Sequence, residues 1–390
     1  MLRMNGGNYV AALDTNAASG SVPLSYYVAQ IEKTDVLSAD SLEPVQLGLY
    51  GEVGGIMSAS KKHVREGAAF PGFRKAAEEE FGDALWYFAA LCRRLSHPLE
   101  DIFTDGSANG AYKRIGVASD YRHGALAHVL VPEKAVHLDA ALFDLGHAAA
   151  TLLAASPTRD DLVRFASRYL QALSGAGLDF STVVRGNIKK ARGAFLTPDP
   201  DMLCDFDDEF LPEEQLPRQF RIKVSQRASG RTYLQWNGVF IGDPLTDNIV
   251  DRDGYRFHDV FHFANAAILH WSPVVRSLIK QKRKSRKDYD EEQDSGRAIV
   301  VEEGLTAWIF SRAKELNFFE DQSRVSFDVL KTISEFVAGY EVSSCPPKLW
   351  ERAILDGYGV FRQMRDAEGG WIVGDRDART IRYESLEESP

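Results

Sequence analysis

The chain has few cysteines, few methionines and no long run of apolar residues. Its three cysteines, Cys92, Cys204 and Cys345, are far apart and odd in number. Such a set argues against a disulfide framework and forms no cysteine metal motif, so we expect a protein of the reducing cytoplasm. No apolar run approaches the length that crosses a bilayer, and the first twenty residues lack the apolar core of a secretory signal. We therefore expect a cytoplasmic protein without a membrane partner.

The chain also lacks an excess of positive charge. The formal net charge is −10 over 390 residues, which argues against general affinity for nucleic acid. The basic run at residues 280–287 lacks the interleaved aromatic residues of a single-strand-binding platform and is followed at once by acids. We interpret it as a loop with self-compensating charge, and the alternative is a phosphate-binding arm that reaches a nucleotide in this or a neighbouring subunit. Hydrophobic content of 44% and charged content of 26% are ordinary for a globular protein. The length indicates two or three domains.

Carboxylates stand on two apolar, helix-like stretches between residues 47 and 101. The first stretch carries Glu52, and the second carries Glu80 and Asp83 in E-F-G-D. Residues three apart on a helix share one face. Carboxylates beside a buried apolar stripe are costly unless they are paired or bound to metal. Mg²⁺ takes carboxylate oxygens and keeps waters for phosphates, so the pattern predicts a Mg²⁺–phosphate site between two helices.

These stretches resemble the MazG-like, all-α nucleoside triphosphate pyrophosphohydrolases, whose signature is E-x-x-E, a spacer and E-x-x-D. The resemblance covers about residues 21–197, with an insertion in the middle. Gly55 stands where the family has its second glutamate. The residues that match the signature are Gly48, Leu49, Gly51, Glu52, Glu79, Glu80, Gly82, Asp83, Leu85, Trp86 and Tyr87.

The resemblance implies hydrolysis of an NTP or dNTP to a monophosphate and pyrophosphate. It assigns Mg²⁺, with Mn²⁺ as a substitute, to Glu52, Glu80 and Asp83, and makes Glu79 a base or auxiliary ligand. It also implies a homodimer or a larger homo-oligomer. The competing hypothesis is a nucleotide sensor that has lost catalysis through Gly55 and acts through a C-terminal effector domain.

The resemblance places the substrate beside several further side chains. Asn187 and Lys190 resemble the polar ending of the family, where the nucleotide is positioned, and Trp86 is a further candidate. We expect residues 60–75 to form a polar connection, in which Lys61 and Lys62 hold triphosphate oxygens. The alternative for that connection is a solvated loop without a role.

Composition changes divide the rest of the chain. We predict a mainly α protein with a flexible tail at 1–20, a MazG-like bundle at 21–197, a proline-rich acidic linker at 198–218 and a mostly helical domain at 219–390. Alternating apolar residues and Asn237-Gly238 predict a small antiparallel hairpin at the start of that last domain. Its sequence DGYRFHDVFHFANAAILHWSPV, followed by KRKS and EEG, resembles the C-terminal extension of longer MazG-related proteins.

A second candidate site lies in this extension. His258 and His262 are four residues apart with Asp259 between them, so both imidazoles share a helical face. Such pairs bind Zn²⁺ or another divalent metal. Glu302 and Glu303 interrupt an apolar helix, and one of them could supply a third ligand. The alternatives are a buried hydrogen-bond network and a ligand site without metal.

Overall fold

A computed structural model describes residues 24–38, 41–108, 112–114, 130–132 and 137–386 of the chain. The chain divides into two compact units, Met1–Leu196 and Thr197–Pro390. The tail predicted at residues 1–20 lies outside the described residues. The described part is mainly α-helical with a small five-stranded antiparallel sheet in the second unit, which confirms the predicted fold class.

Seven helices form the described part of the first unit. They are α1 (Leu24–Thr34), α2 (Glu43–Glu66), α3 (Phe73–Arg94), α4 (Leu99–Ala108), α5 (Leu138–Thr151), α6 (Arg159–Gly175) and α7 (Phe180–Phe195). A pair of short antiparallel strands, β1 (Tyr112–Arg114) and β2 (Leu130–Pro132), separates α4 from α5 along the chain.

The apolar residues of α2 and α3 recur at helical spacing, which gives each helix one buried stripe. The stripe of α2 comprises Val45, Leu49, Val53 and Ile56. The stripe of α3 includes Ala77, Phe81, Leu85 and Phe88. The two helices pack against each other, and α7 packs against α3. This packing brings the polar residues at the stripe edges of three helices towards one another.

The prediction of a polar connection at residues 60–75 is wrong for residues 60–66, which are helical. Helix α2 continues to Glu66, so Lys61 and Lys62 are exposed residues of its last two turns. Lysine and arginine are good helix formers, and the chain offers no breaker before Gly67. The helix ends at Gly67, whose φ of 54° lies in a region that favours glycine.

The second unit contains a five-stranded antiparallel sheet. Strands β3 (Gln219–Gln226), β4 (Thr232–Trp236) and β5 (Val239–Leu245) form a meander, and β6 (Gly369–Asp375) and β7 (Thr380–Glu384) form a hairpin. The strand order is β5-β4-β3-β6-β7. Asn237 and Gly238 both have positive φ in the two-residue loop between β4 and β5, as a type I′ turn requires.

Six helices of the second unit lie between the two groups of strands in the chain. They are α8 (Asp259–Ala264), α9 (Pro273–Ile279), α10 (Lys287–Glu292), α11 (Gly296–Glu315), α12 (Phe327–Phe336) and α13 (Pro347–Asp366). Helix α8 continues directly into a π-helical turn over Asn265–Leu269. Such turns occur frequently at functional sites.

The stretch predicted as a linker, residues 198–218, falls within the second unit and is anchored there by ion pairs. Asp207 is buried and pairs with Arg276, which is also buried. Asp205 Oδ1 lies 2.5 Å from Nη2 of the buried Arg376. Breaking a buried ion pair by removing one partner costs about 3–5 kcal/mol, so these residues are part of the folded unit.

Hydropathy bears on the expectation about membranes. Among the described residues, no helix combines the length and the apolar character needed to span a bilayer.

Candidate active site

Four carboxylates lie close together where α2 faces α3. We call Glu52, Glu79, Glu80 and Asp83 the acidic cluster. Glu52 comes from α2, and the other three come from α3. Glu52 and Glu80 share a hydrogen bond, and the negative charge of Asp83 also acts on Glu52. The helix packing therefore brings together the three carboxylates that the sequence nominated as metal ligands.

Burial and the neighbouring carboxylates of the acidic cluster affect the protonation of Glu52. Burial raises the pKa of Glu52 to about 7, and the charges of Asp83 and Glu80 add to that effect. Two carboxylates can share a hydrogen bond only when one of them carries a proton. In the absence of another cation, Glu52 therefore keeps a proton up to neutral pH.

Lys190 on α7 supplies a positive charge to this cluster. Its Nζ lies 2.9 Å from Glu79 Oε1 and 2.5 Å from Asp83 Oδ2. Burial would lower the pKa of Lys190, but the charge of Asp83 and the hydrogen bonds to Asp83 and Glu79 raise it. The side chain of Lys190 is therefore a protonated ammonium group at the edge of the acidic cluster.

Asn187, one turn before Lys190, also reaches the cluster. Its Nδ2 donates to Asp83 Oδ1 at 3.3 Å. Its Oδ1 accepts a hydrogen bond of 2.8 Å from the hydroxyl of Tyr27 on α1. The sequence did not predict this role of Tyr27, because nothing in the pattern pairs residues 160 positions apart.

The side chain of Glu80 lies against Gly55, the position where the family signature has its second glutamate. A Cβ atom at Gly55 would lie 2.0 Å from Glu80 Oε2. The carboxylate of Glu80 thus occupies the space that any side chain at position 55 would need. The substitution of glutamate by glycine in the signature is therefore linked to the position of Glu80.

Three nominated residues lie elsewhere in the first unit. Lys61 and Lys62 are nine and ten residues beyond Glu52 on one helix, about 14 Å along its axis, and both are exposed. Trp86 is 8% exposed and its indole N–H donates to Thr34 Oγ1 at 3.0 Å. Trp86 therefore occupies the position of a core residue, although it directly follows the acidic motif in sequence.

A second group of side chains lies in the second unit. We call His258, His262 and Glu303 the histidine cluster. One ligand atom from each residue lies within 4.8 Å of the others. Glu303 Oε2 is 3.4 Å from His262 Nε2 and 3.7 Å from His258 Nε2. Glu303 lies on α11, His262 lies on α8, and His258 is the residue just before α8.

Glu302 plays a different part from its neighbour Glu303. It is fully buried and its Oε1 lies 3.0 Å from His262 Nδ1. It also accepts hydrogen bonds from Asn265 Nδ2, Ser272 Oγ and the backbone N–H of Val274. Its hydrogen-bonding capacity is thus used to hold His262 and the start of α9.

Electrostatics in the histidine cluster favour positive charge. Burial would lower the pKa of His262, but the charge and hydrogen bond of Glu302, together with Glu303, raise it to about 10. The pKa of the buried Asp259 is raised, chiefly by burial, and Asp259 Oδ1 lies 3.9 Å from His258 Nε2. The position therefore attracts a cation.

A pocket of about 410 Å³ in the second unit has a mainly cationic lining that includes none of the nominated residues. Its charged residues are Arg252, Asp253, Arg256, Lys314 and Arg365. Lys314 Nζ is 2.8 Å from Asp253 Oδ2, so part of this charge is paired within the pocket.

Comparisons with known proteins bear on the second unit. Residues 201–387 match the family model of the MazG C-terminal domain. Neither a curated protein nor a solved structure matches the chain. The match supports the resemblance of this region to the C-terminal extension of MazG-related proteins and suggests a nucleotide pyrophosphohydrolase-like family. It does not reach the acidic cluster.

Proposed function

We propose that the first unit hydrolyses nucleoside triphosphates to monophosphates and pyrophosphate at the acidic cluster. The observation that carries this proposal is the convergence of Glu52, Glu80 and Asp83 from two packed helices, with the pKa of Glu52 raised to about 7. Carboxylates gathered in this way favour a bound cation. The MazG-related second unit and the motif resemblance of the first support the same reaction.

The residues of the cluster fit Mg²⁺. The cluster offers oxygen ligands, which a hard cation prefers, and the ammonium of Lys190 pairs with Glu79 and Asp83. Glu52, Glu80 and Asp83 would hold the ion. When bound, Mg²⁺ would neutralise phosphate charge and lower the pKa of a bound water.

Other side chains of the first unit would position the substrate. The ammonium of Lys190 is held at the cluster edge by Glu79 and Asp83, where it can attract phosphate oxygens. The amide of Asn187 is oriented by Tyr27 on one side and Asp83 on the other. Glu79 would accept a proton from the attacking water once a phosphate group draws Lys190 away.

The proposal is tested by measuring Mg²⁺-dependent pyrophosphate release from a panel of NTPs and dNTPs. We expect Asp83→Asn to abolish the release, because the amide keeps the shape of the carboxylate and loses its charge. Asp144→Asn is the matched control, since Asp144 on α5 pairs with Arg168 outside the cluster. Wild-type release by Asp83→Asn would refute the site.

Gly55 favours a second candidate function, binding of a nucleotide without turnover. One signature carboxylate is absent, and Glu80 occupies its space. In this case the first unit would act as a sensor and the second as its effector. Mg²⁺-dependent binding of a non-hydrolysable nucleotide, together with no pyrophosphate release by the wild type, would favour the sensor.

Exposed apolar side chains support self-association of the first unit. Leu47 and Tyr50 lie one turn apart on α2 and are 68% and 46% exposed, and Phe143 on α5 is 69% exposed. Leu47 and Tyr50 are neighbours on one face of the helix, and exposed apolar patches often mark a protein interface. We therefore propose a homo-oligomer, which light scattering tests directly: Leu47→Glu should lower the mass of the assembly.

A further inference from the structure

We propose that His258, His262 and Glu303 bind one divalent transition-metal ion, and that Glu302 is a positioning residue that orients His262 towards it. The site is separate from the acidic cluster and uses a different ligand set. It lies within the second unit, so it does not depend on the proposed hydrolysis.

Each of the two histidines, when neutral, carries its proton on Nδ1. His258 Nδ1 lies 2.9 Å from the carbonyl oxygen of Tyr255, which can only accept, so Nδ1 carries the proton. His262 Nδ1 faces the carboxylate of Glu302 at 3.0 Å in the same way. In the neutral imidazoles, both Nε2 atoms therefore present lone pairs.

The lone pairs on the two Nε2 atoms point towards the carboxylate of Glu303. Both Nε2 atoms converge on Glu303 Oε2, at 3.4 Å and 3.7 Å. When both imidazoles are neutral, these three atoms are all acceptors, so either a proton on His262 or a metal ion between them relieves their repulsion. His262 Nε2 is buried, and within the described residues it makes no hydrogen bond of good geometry, although Glu303 Oε2 lies 3.4 Å away. Buried polar atoms without partners are rare and call for a specific occupant such as an ion.

Glu302 and Tyr255 hold the rings of His262 and His258 in place. A metal-bound histidine commonly donates its other N–H to a carboxylate, which fixes the ring and makes it a better ligand. Glu302 is such a carboxylate, and Asn265, Ser272 and the backbone of Val274 hold it in place. The ring of His258 is held by Tyr255, which stacks on it at 4.4 Å between centroids.

The ligand set indicates the class of metal. Imidazole nitrogen suits zinc, iron, nickel and copper, whereas Mg²⁺ and Ca²⁺ prefer oxygen. Three protein ligands leave at least one position for water or a substrate, unlike closed structural sites with four. The side chain of Glu303 is 40% exposed, so the position opposite the histidines is open to solvent.

The experiment uses the full chain carrying Asp83→Asn, so that binding at the acidic cluster does not contribute. We expect one Zn²⁺ per chain after dialysis, and a visible d–d absorption when Co²⁺ replaces it. Glu303→Gln should lose the metal, and Glu302→Gln should weaken binding by about 10–100-fold, as outer ligands generally do. Glu315→Gln is the matched control, since Glu315 is an exposed residue of the same helix.

Two outcomes would overturn the proposal. If the chain binds neither Zn²⁺ nor Co²⁺, and a chelator leaves its melting temperature unchanged, His262 is held as a protonated member of an ion-pair network. If Zn²⁺ binds equally to Glu303→Gln and Glu315→Gln, the metal lies elsewhere. Should Glu303→Gln fail to fold, the Co²⁺ spectrum of the Asp83→Asn chain still decides, because its intensity and position report nitrogen ligands. Zinc binding by the Asp83→Asn chain, in which we expect no pyrophosphate release, would show that the metal site does not depend on the proposed hydrolysis.

Discussion

The acidic cluster and the histidine cluster handle buried charge in opposite ways. In the acidic cluster, partly exposed carboxylates repel one another. A proton on Glu52 and the ammonium group of Lys190 reduce this repulsion. In the histidine cluster, His262 is fully buried, and so is Glu302 behind it, which is held by three further donors. The first arrangement suits an exchangeable hard cation with its phosphate, and the second suits a pre-oriented, more tightly held ion.

The largest expected difference between the clusters is in stability. Glu302→Ala should lower the free energy of unfolding by about 3–5 kcal/mol, because it leaves a buried histidine and three donors without their carboxylate. Glu79→Ala should cost about 1 kcal/mol or less, since its ion pair with Lys190 is partly exposed. Urea denaturation of each variant measures the difference. Equal losses would contradict the distinction between a rigid and an adaptable cluster.

The next effect concerns the positive charge of the acidic cluster. Lys190→Met should lower the rate of pyrophosphate release by about 100-fold, as loss of a stabilising donor commonly does. The same change should strengthen Mg²⁺ binding, because a competing cation is removed from Asp83 and Glu79. Lys189→Met is the control, since Lys189 is exposed on the same helix. Weaker Mg²⁺ binding would show that Lys190 organises the cluster instead of competing with the metal.

A smaller effect is expected at Gly55. Gly55→Ala should raise the Mg²⁺ concentration for half-maximal rate several-fold, because the new Cβ displaces the carboxylate of Glu80. Gly54→Ala is the matched control, since a Cβ there meets nothing within 4 Å. Both changes stabilise the helix by up to about 1 kcal/mol. A difference between the two variants therefore reports the displacement of the Glu80 carboxylate. An unchanged Mg²⁺ requirement in both variants would show that Glu80 is not a ligand.

The smallest effect concerns pH. The pKa of Glu52 is about 7 in the folded protein against an ordinary 4.5, so the folded state holds a proton that the unfolded chain releases. The stability from this proton is fully present below the unfolded pKa and is lost as pH rises through the folded pKa. Mg²⁺ competes with the proton, so it should raise the melting temperature by about 2 °C more near pH 8 than near pH 5.

Glu52→Gln is the control for this pH effect. It removes the titrating group, so the effect of Mg²⁺ on the melting temperature should become smaller and nearly independent of pH. A wild-type response that is the same at both pH values would show that Glu52 does not exchange its proton for the metal.

Local patterns in the sequence predicted several helices and one turn of the fold. Helical spacing of apolar residues predicted α2 and α3, and Asn237-Gly238 predicted the turn between β4 and β5. The error at Lys61 and Lys62 has a local cause as well. A run of charged residues was interpreted as a loop, although charged residues with long side chains are compatible with a helix.

Relations between distant residues could not be predicted from the sequence. The bond from Lys190 to Asp83, the carboxylate of Glu80 over Gly55 and the burial of Asp207 against Arg276 all depend on how helices and segments pack.

The clearest case is the pair Glu302 and Glu303. The sequence shows two acids that interrupt an apolar helix and, elsewhere, two histidines four residues apart. The packing of the fold brings Glu302 to Nδ1 of His262 and Glu303 to its Nε2. Neighbours on a helix differ in direction by about 100°, so the packing angle between helices decides which acid is buried and which faces the open side.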